Sequence, residues 1–418
     1  MLGERLILSN LTYKHEIMEG VSGNRGPAVR SDCFISIRPG GQDGLKIELA
    51  GKSKTLYGRQ IINFVTEILQ FFELYDADVF IEDNGALPYV IAARTEAALK
   101  RFIDSTKQFL LPEITKNRRE TSRNWLRRSR LYLPGDHPKL MINAGLYQSD
   151  GIILDLEDSV AHDKKHDARF LVRNALRNND FQAAELMVRI NQLPLGFKDL
   201  EYIVSQPVNV ILIPKCEYAA QVEAVDLKIK ELKGERTEPI WLMPIIESAL
   251  GVIHSYEIAT SSPNVVALAI GLEDYTADIG AERTTDGTES LFARSMLVNS
   301  ARAAGVQPID SVFSDFENLQ ALRSVAKYSK SMGFVGMGCI HPAQISIINE
   351  SYQPSKTEIE KAKRIVIAFD EAHERGLGVI SLGSKMIDAP IVKRALNTIE
   401  MAIRCQLVEP NWKEEDGQ

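Results

Sequence analysis

From residue 129 onward one pattern recurs: a short apolar run, a polar break and a segment long enough for a helix. The runs are SRLYL (129–133), GIILD (151–155), LMVRI (186–190), NVILI (209–213), WLMPI (241–245), VVALAI (265–270), IDSVF (309–313) and FVGMGCI (334–340). Strands alternating with helix-length segments predict parallel β/α units, and eight such units predict a closed (β/α)8 TIM barrel over 128–350. A doubly wound open sheet is the alternative, but no G-x-G-x-x-G follows the first run.

The pattern before the barrel is different. DCFISIRPG and GLKIELAG alternate as strands with a turn at Gly40 and Gly41 between them, and DADVFIED alternates again. GRQIINFVTEILQFFELY and ALPYVIAARTEAALKRFI carry apolar residues at helical spacing. A small α+β domain over 23–112 follows from this, after an N-terminal extension over 1–22. The linker is placed at 113–127, overlapping the basic stretch TKNRRETSRNWLRRSR (115–130), and 351–418 reads as a C-terminal helical extension interrupted by GLGVISLGSKMID.

Composition narrows the class. The 418 residues hold 49 Lys and Arg against 56 Asp and Glu, spread in both signs, so no basic footprint for nucleic acid is present. Apolar residues at 44% and charged residues at 25% describe a folded protein. Cys33, Cys216, Cys339 and Cys405 stand far apart, which suits a reducing compartment. No run of 18 apolar residues and no secretory h-region is found, so a cytoplasmic, unanchored protein is expected.

The carboxyl ends of barrel strands carry the active site in this fold. Six of the eight predicted strands deliver a charged or titratable group there: Asp155, Glu157 and Asp158; Arg189 with Asn191; Lys215; Glu247; Glu273 and Asp274; and His341. Glu247 and Asp274 offer two carboxylates from adjacent strands, a donor set that suits Mg2+ completed by waters and substrate oxygens. Zinc is disfavoured, since paired His or Cys ligands are lacking. Arg189 is a planar fork for a substrate carboxylate, or else the partner of Asp155 or Glu157 in a rim salt bridge. Lys215 is placed for a Schiff base, but neighbouring carboxylates would keep it charged. His162 and His166 read as a solvated helix face, and His341 reads as an orienting group as readily as a catalytic one. No G-x-S-x-G supports an acyl-enzyme.

RRSRLYLPG, DGIILDLEDSVAHDKKHDAR, VRIN, LIPK, IIESALGV, GLEDYTADIGAERTTDGTESLFAR and CIHPAQ, with GLGVISLGSKMIDAPIV near the end, resemble in order and spacing the citrate lyase beta subunit and related CoA-ester lyases, of HpcH/HpaI aldolase-like type. The likeness runs from about Arg127 to Ala402. It implies the barrel, a trimer or multiple of three, and Mg2+ held by Glu247 and Asp274. Arg189 becomes the carboxylate-binding arginine, and Asp388 the proton-transfer residue contributed across a subunit interface. The family's RRSxLFVPG segment implies that Arg128 and Arg130 help bind the CoA thioester. Glu157 and Lys165 join the substrate-binding set. Leu272 departs from the alanine common in the family's GAED, which would alter the acyl or oxo-acid pocket.

GPAVRSDCFISIRP and EDNGALPYVIAARTEAALKR are similar to the citrate lyase acyl-carrier (gamma) subunit. In that family a serine two residues before the motif's aspartate carries the prosthetic arm. Counting back from Asp32 reaches Arg30, and Ser31 is the nearest hydroxyl. Ser31 is thus a candidate attachment site, set against a domain kept for folding or assembly. The implied activity is cleavage of a citryl-, malyl- or citramalyl-CoA type thioester to a 2-oxo acid, such as oxaloacetate, and an acyl-CoA, such as acetyl-CoA. The alternatives are a beta-type subunit acting on a carrier-bound thioester among partner subunits, a non-catalytic assembly component, and a related barrel enzyme of hydrolysis or condensation.

Overall fold

The computed structural model describes residues 12–13, 19–40, 43–284, 286–374, 380–382 and 385–415. Most of the predicted N-terminal extension, Gly41 of the predicted turn, and 376–379 and 383–384 of the GLGVISLGSKMID interruption lie outside these residues.

The N-terminal domain is a four-stranded sheet with two helices. Its strands are β1 (Gly20–Gly23), β2 (Cys33–Pro39), β3 (Leu45–Gly51) and β4 (Ala77–Asp83). The helices are α1 (Lys54–Phe71) and α2 (Pro88–Leu99). The spatial order is β1-β2-β4-β3. The hairpin expected between the first two alternating runs is corrected, because β2 and β3 are not paired. Both pair with β4, β2 antiparallel and β3 parallel. The parallel pairing requires a crossover, which α1 supplies between β3 and β4.

Helix α2 is buried from Tyr89 through Leu99. A helix apolar on most sides needs cover on most sides, and α2 has it. One face packs in the core of its own domain through Ile91, Ala92 and Ala98. The other packs in the barrel core through Tyr89, Val90, Ala93 and Ala97. The polar residues sealed in this seam are paired, as burial demands. Arg173 Nη1 and Nη2 donate to Glu96 at 3.0 and 2.6 Å, with both side chains fully enclosed. Arg94 grips Asp32 at 3.0 and 2.9 Å and also donates to the Asp136 carbonyl. Glu96→Ala would strand the Arg173 charge, so a loss of about 3–5 kcal/mol is expected in denaturant melts. A single unfolding transition for both domains should accompany it.

The eight predicted runs form the strands β5 (Ser129–Pro134), β6 (Gly151–Asp155), β7 (Glu185–Arg189), β8 (Val210–Ile213), β9 (Trp241–Ile246), β10 (Ala267–Ile270), β11 (Gln307–Asp310) and β12 (Gly336–Cys339). They pair in sequence order, all parallel, and β12 closes on β5. Ile153, Met187, Leu212, Met243, Ile245 and Ala269 fill the lumen, while the outward faces pack on the surrounding helices. The seventh strand lies earlier than the run IDSVF. Gln307 is tied to Trp125 and Arg127 at its start, and Asp310 turns to Arg294 and the Ser311 amide at its end.

The stretch read as a linker is packed against the barrel's amino end. Thr121 and Arg127 both bond Glu185, and the Trp241 indole donates to the Thr121 carbonyl. Past β12, α3 (Lys356–Glu374) and α4 (Ala389–Arg404) pack on each other around Ile365, Val366, Val392, Ala395 and Ile399. No helix among the described residues is long and apolar enough to cross a membrane.

Candidate active site at the carboxyl rim of the barrel

Strand β6 ends in Asp155 and β7 in Arg189, in register with each other. Arg189 Nε and Nη2 donate to Asp155 at 2.6 and 2.7 Å, and Nη1 lies 3.0 Å from Glu157 Oε2. The rim salt bridge is therefore present. Asp155 takes two of the five guanidinium N–H groups and Glu157 is ion-paired with Nη1, which leaves the end-on edge between Nη1 and Nη2 facing away from Asp155. Burial disfavours both charges, but their mutual hydrogen bonds and opposite charges prevail: Asp155 raises the pKa of Arg189, and Arg189 lowers that of Asp155. The guanidinium also stacks over Tyr132 at 5.4 Å.

Glu157 is buried, which pushes its pKa up, and it takes a hydrogen bond from Gln192 at 3.1 Å. Lys165 donates to the carbonyls of Leu156 and Glu157 at 3.0 and 2.8 Å, so it braces the loop that carries Glu157. Burial lowers its pKa.

Glu247 follows β9 and is 6% exposed. Its Oε2 accepts from the Lys215 amide at 2.9 Å, a donor aimed by the left-handed backbone of Lys215 (φ +46°). Such a conformation is uncommon for a side-chain-bearing residue and marks a constrained strand end. A Cβ on Gly271 would stand 2.4 Å from Glu247 Oε1, so only glycine leaves room for that carboxylate. Burial pushes the Glu247 carboxyl up to about 7. Asp274, in the helix after β10, is 43% exposed at its side chain and lies 3.3 Å from Lys215 Nζ. That ammonium also faces Glu157 and Asp158 at 3.8 and 3.7 Å. Burial opposes its charge, yet Asp158, Asp274 and Glu157 raise its pKa, which disfavours a Schiff-base role.

The rim thus gathers Asp155, Glu157, Asp158, Glu247 and Asp274 against Arg189, Lys215 and Lys165. Among the described residues no group of three or more His, Cys, Asp or Glu side chains is arranged as a metal cage. Two carboxylates with open space for water and substrate oxygens fit a hard divalent ion rather than zinc. Glu247 fits it further: burial opposes its charge and only the Lys215 amide donates to it among the described residues, so a cation would offset that cost.

Other predicted residues lie elsewhere. Arg128 is at the amino end of β5, paired with Asp150 at 2.8 Å and touching Cys405. Arg130 is 1% exposed and points into the lumen, where its Nη1 meets Met243 Sδ. Neither reaches the rim of its own chain, because β5 enters the barrel at these residues and leaves it at Pro134. Leu272 is buried in the core between strands and helices, so its bulk does not face the pocket. Asp388 caps α4, accepting from the Ile391 amide, about 24 Å of helix away from Cys405. The described contacts do not bring it to the rim. His341 stacks on Phe316, and His166 bonds the Ala97 carbonyl in the domain seam. Ser31 precedes the clamped Asp32 in a left-handed turn (φ +57°), its amide donating to the Asn84 carbonyl. Tyr132 and Gly271 were not singled out from the sequence, although the inward position of Tyr132 on the SRLYL run was available.

Comparison with known proteins gives the family of each part of the chain. Residues 128–342 match the model of HpcH/HpaI aldolase/citrate lyase, and residues 25–102 match that of malonate decarboxylase delta subunit (MdcD), an acyl-carrier-like family. The chain is 37% identical over 289 residues to citrate lyase subunit beta of Leuconostoc mesenteroides subsp. cremoris, covering 68% of this chain and 96% of that protein. It is 35% identical over 293 residues to L-malyl-CoA/beta-methylmalyl-CoA lyase of Cereibacter sphaeroides, covering 64% and 92%. Its fold resembles that of protein CitE from Mycobacterium tuberculosis in complex with magnesium, acetoacetate and coenzyme A. There the TM-score is 0.57 at 28% identity, over 67% of this chain and 99% of that one. A closed eight-stranded barrel with carboxylates and an arginine on one rim, matched over its whole length, leaves a single assignment: the chain belongs to the HpcH/HpaI aldolase/citrate lyase family.

Proposed function

We propose that the chain is a Mg2+-dependent carbon–carbon lyase that cleaves a 3-hydroxy-carboxyacyl-CoA thioester to a 2-oxo acid and an acyl-CoA. The observation that carries this reading is the convergence of Glu247, Asp274 and Arg189 on one rim. Glu247 and Asp274 would hold Mg2+, which when bound supplies a Lewis acid to the hydroxyl and carboxylate oxygens of the substrate. The end-on N–H pair of Arg189 takes the substrate carboxylate, while Asp155 and Glu157 fix the guanidinium plane. Lys215 adds positive charge where the cleaved bond leaves charge on oxygen.

A proton must leave the hydroxyl, and the family resemblance gives that task to Asp388 or a water it holds. Asp388 stands apart from the rim of its own chain, so a neighbouring copy supplies it in a trimer or multiple of three. Free CoA is the favoured handle, because Arg94 clamps Asp32, beside Ser31, and also bonds the Asp136 carbonyl of the barrel, which fixes that turn in place. The alternative is a thioester on an acyl-carrier subunit. The test offers purified protein citryl-, malyl- and citramalyl-CoA with and without EDTA and reads the 2-oxo acid. Turnover of at least one ester that EDTA abolishes is expected; no turnover of any free ester would favour the carrier-bound reading.

A pH dependence follows from Glu247. Its carboxyl, ordinarily near 4.5, is pushed up to about 7, so below that pH a metal ion must displace a proton. Apparent Mg2+ affinity should fall about tenfold per unit below about pH 7 and level off above it, as read from Mg2+ titrations of turnover. Between these values the folded chain holds the proton more tightly than the unfolded one. Metal-free stability should therefore decline as pH rises from about 4.5 to about 7, and added Mg2+ should stabilise more at pH 8 than at pH 6.

A further inference from the structure

Arg94, Arg127, Arg130 and Arg173 are the four arginines sealed most completely among the described residues. Three hold a carboxylate through two nitrogens: Arg94 with Asp32, Arg127 with Glu185 and Arg173 with Glu96. Arg130 holds none. Its Nη1 meets Met243 Sδ at 3.1 Å, and its Nε has no hydrogen-bond partner. Strands β5 and β9 stand on opposite sides of the barrel, so this side chain spans the lumen. Gly151, opposite it on β6, leaves room for its stem: a Cβ there would stand 3.5 Å from Arg130 Cγ.

A buried, unpaired guanidinium costs several kcal/mol and cannot discharge itself by losing a proton. A hydrophobic residue of similar size would serve the fold better. The position of the charge suggests what it does instead. Tyr132 lies two residues further along the inward face of β5, and Arg189 lies over the Tyr132 ring. Above them the rim carries five carboxylates against three cations. From Arg130 to the end of β5 is about 10 Å along the barrel axis. A unit charge at that distance, at an effective dielectric near 20, changes the affinity for a univalent anion by about tenfold.

We propose that Arg130 is a positioning residue for the rim. Its uncompensated charge, fixed in the lumen beneath Tyr132, draws and holds the anionic 2-oxo acid at a rim whose own charges, five carboxylates against three cations and the proposed Mg2+, cancel. The inference rests on the proposed 2-oxo acid site and deepens it.

The test uses the full chain with Mg2+ present and measures binding of pyruvate and oxaloacetate by calorimetry, alongside thermal unfolding. Arg130→Met should keep or raise the unfolding temperature, weaken pyruvate by about tenfold and weaken the dianion oxaloacetate more steeply. Arg130→Lys should recover most of both. A field acts in proportion to ligand charge, whereas a packing defect weakens both acids alike. Equal losses, no loss, or a lower unfolding temperature in Arg130→Met and a second neutral variant, Arg130→Gln, would overturn the inference while leaving the site reading intact. A wild-type chain that binds neither acid would overturn the site reading and this inference with it.

Discussion

Glu247→Gln should reduce Mg2+-dependent thioester cleavage by at least about a thousandfold while leaving the unfolding temperature close to or above that of the wild type. The size follows from the chemistry: loss of a metal ligand removes several kcal/mol of charge stabilisation, and each 1.4 kcal/mol is a factor of ten. The sign of the stability change follows from burial. Glu247 is enclosed and its charge is opposed by its surroundings, so a neutral amide of the same shape relieves a cost. The Lys215 amide still finds an oxygen to donate to, which keeps the β8 strand end in place. Parallel loss of turnover and fold would show Glu247 to be structural. Turnover that persists and still needs metal would place the metal elsewhere.

The second large effect is expected at Arg189. In Arg189→Lys the charge survives, but the planar fork is lost, and with it two N–H donors to Asp155 and the end-on pair for substrate. A loss of about 10²–10³ in kcat/KM is expected, corresponding to the charge-assisted hydrogen bonds removed. It should appear in KM for the thioester as well as in kcat, since the carboxylate is bound in the ground state too. Asp155→Asn is the companion measurement. It frees the guanidinium plane without removing the fork, so its loss should be smaller and mainly in kcat. An Arg189→Lys enzyme with unchanged kinetics would restrict Arg189 to the rim salt bridge.

The comparison of sequence with structure is uneven for physical reasons. Barrel strands enclosed on both sides, such as GIILD and NVILI, read directly as apolar runs, and their ends place Asp155, Arg189, Glu247 and Asp274 at one rim. The order of the N-terminal strands was not legible, because β2, β3 and β4 alternate alike, and the parallel pairing of β3 with β4 depends on α1. Arg128 and Arg130 looked equivalent to Arg189 in one dimension. Their place at the start of β5 rather than its end puts them on the wrong side of the barrel. Arg94 and Glu96 sit in a run legible only as helical, although Arg94 is sealed against Asp32 of its own domain and the Asp136 carbonyl of the barrel, and Glu96 against Arg173 across the seam. The basic stretch before the barrel reads as a linker for the same reason: Arg127 finds Glu185 58 residues away in sequence.

The central claim is that Glu247 and Asp274 hold a divalent ion whose open positions receive the 2-oxo acid. Electron paramagnetic resonance of the protein loaded with Mn2+ in place of Mg2+ addresses it directly. One bound Mn2+ per chain is expected, with lines broadened by oxaloacetate carrying 17O in its carboxylate and oxo groups. Glu247→Gln and Asp274→Asn should each lose the bound signal at the same metal concentration. Unchanged Mn2+ binding in both variants, or lines in the wild type that the labelled acid leaves untouched, would contradict the account.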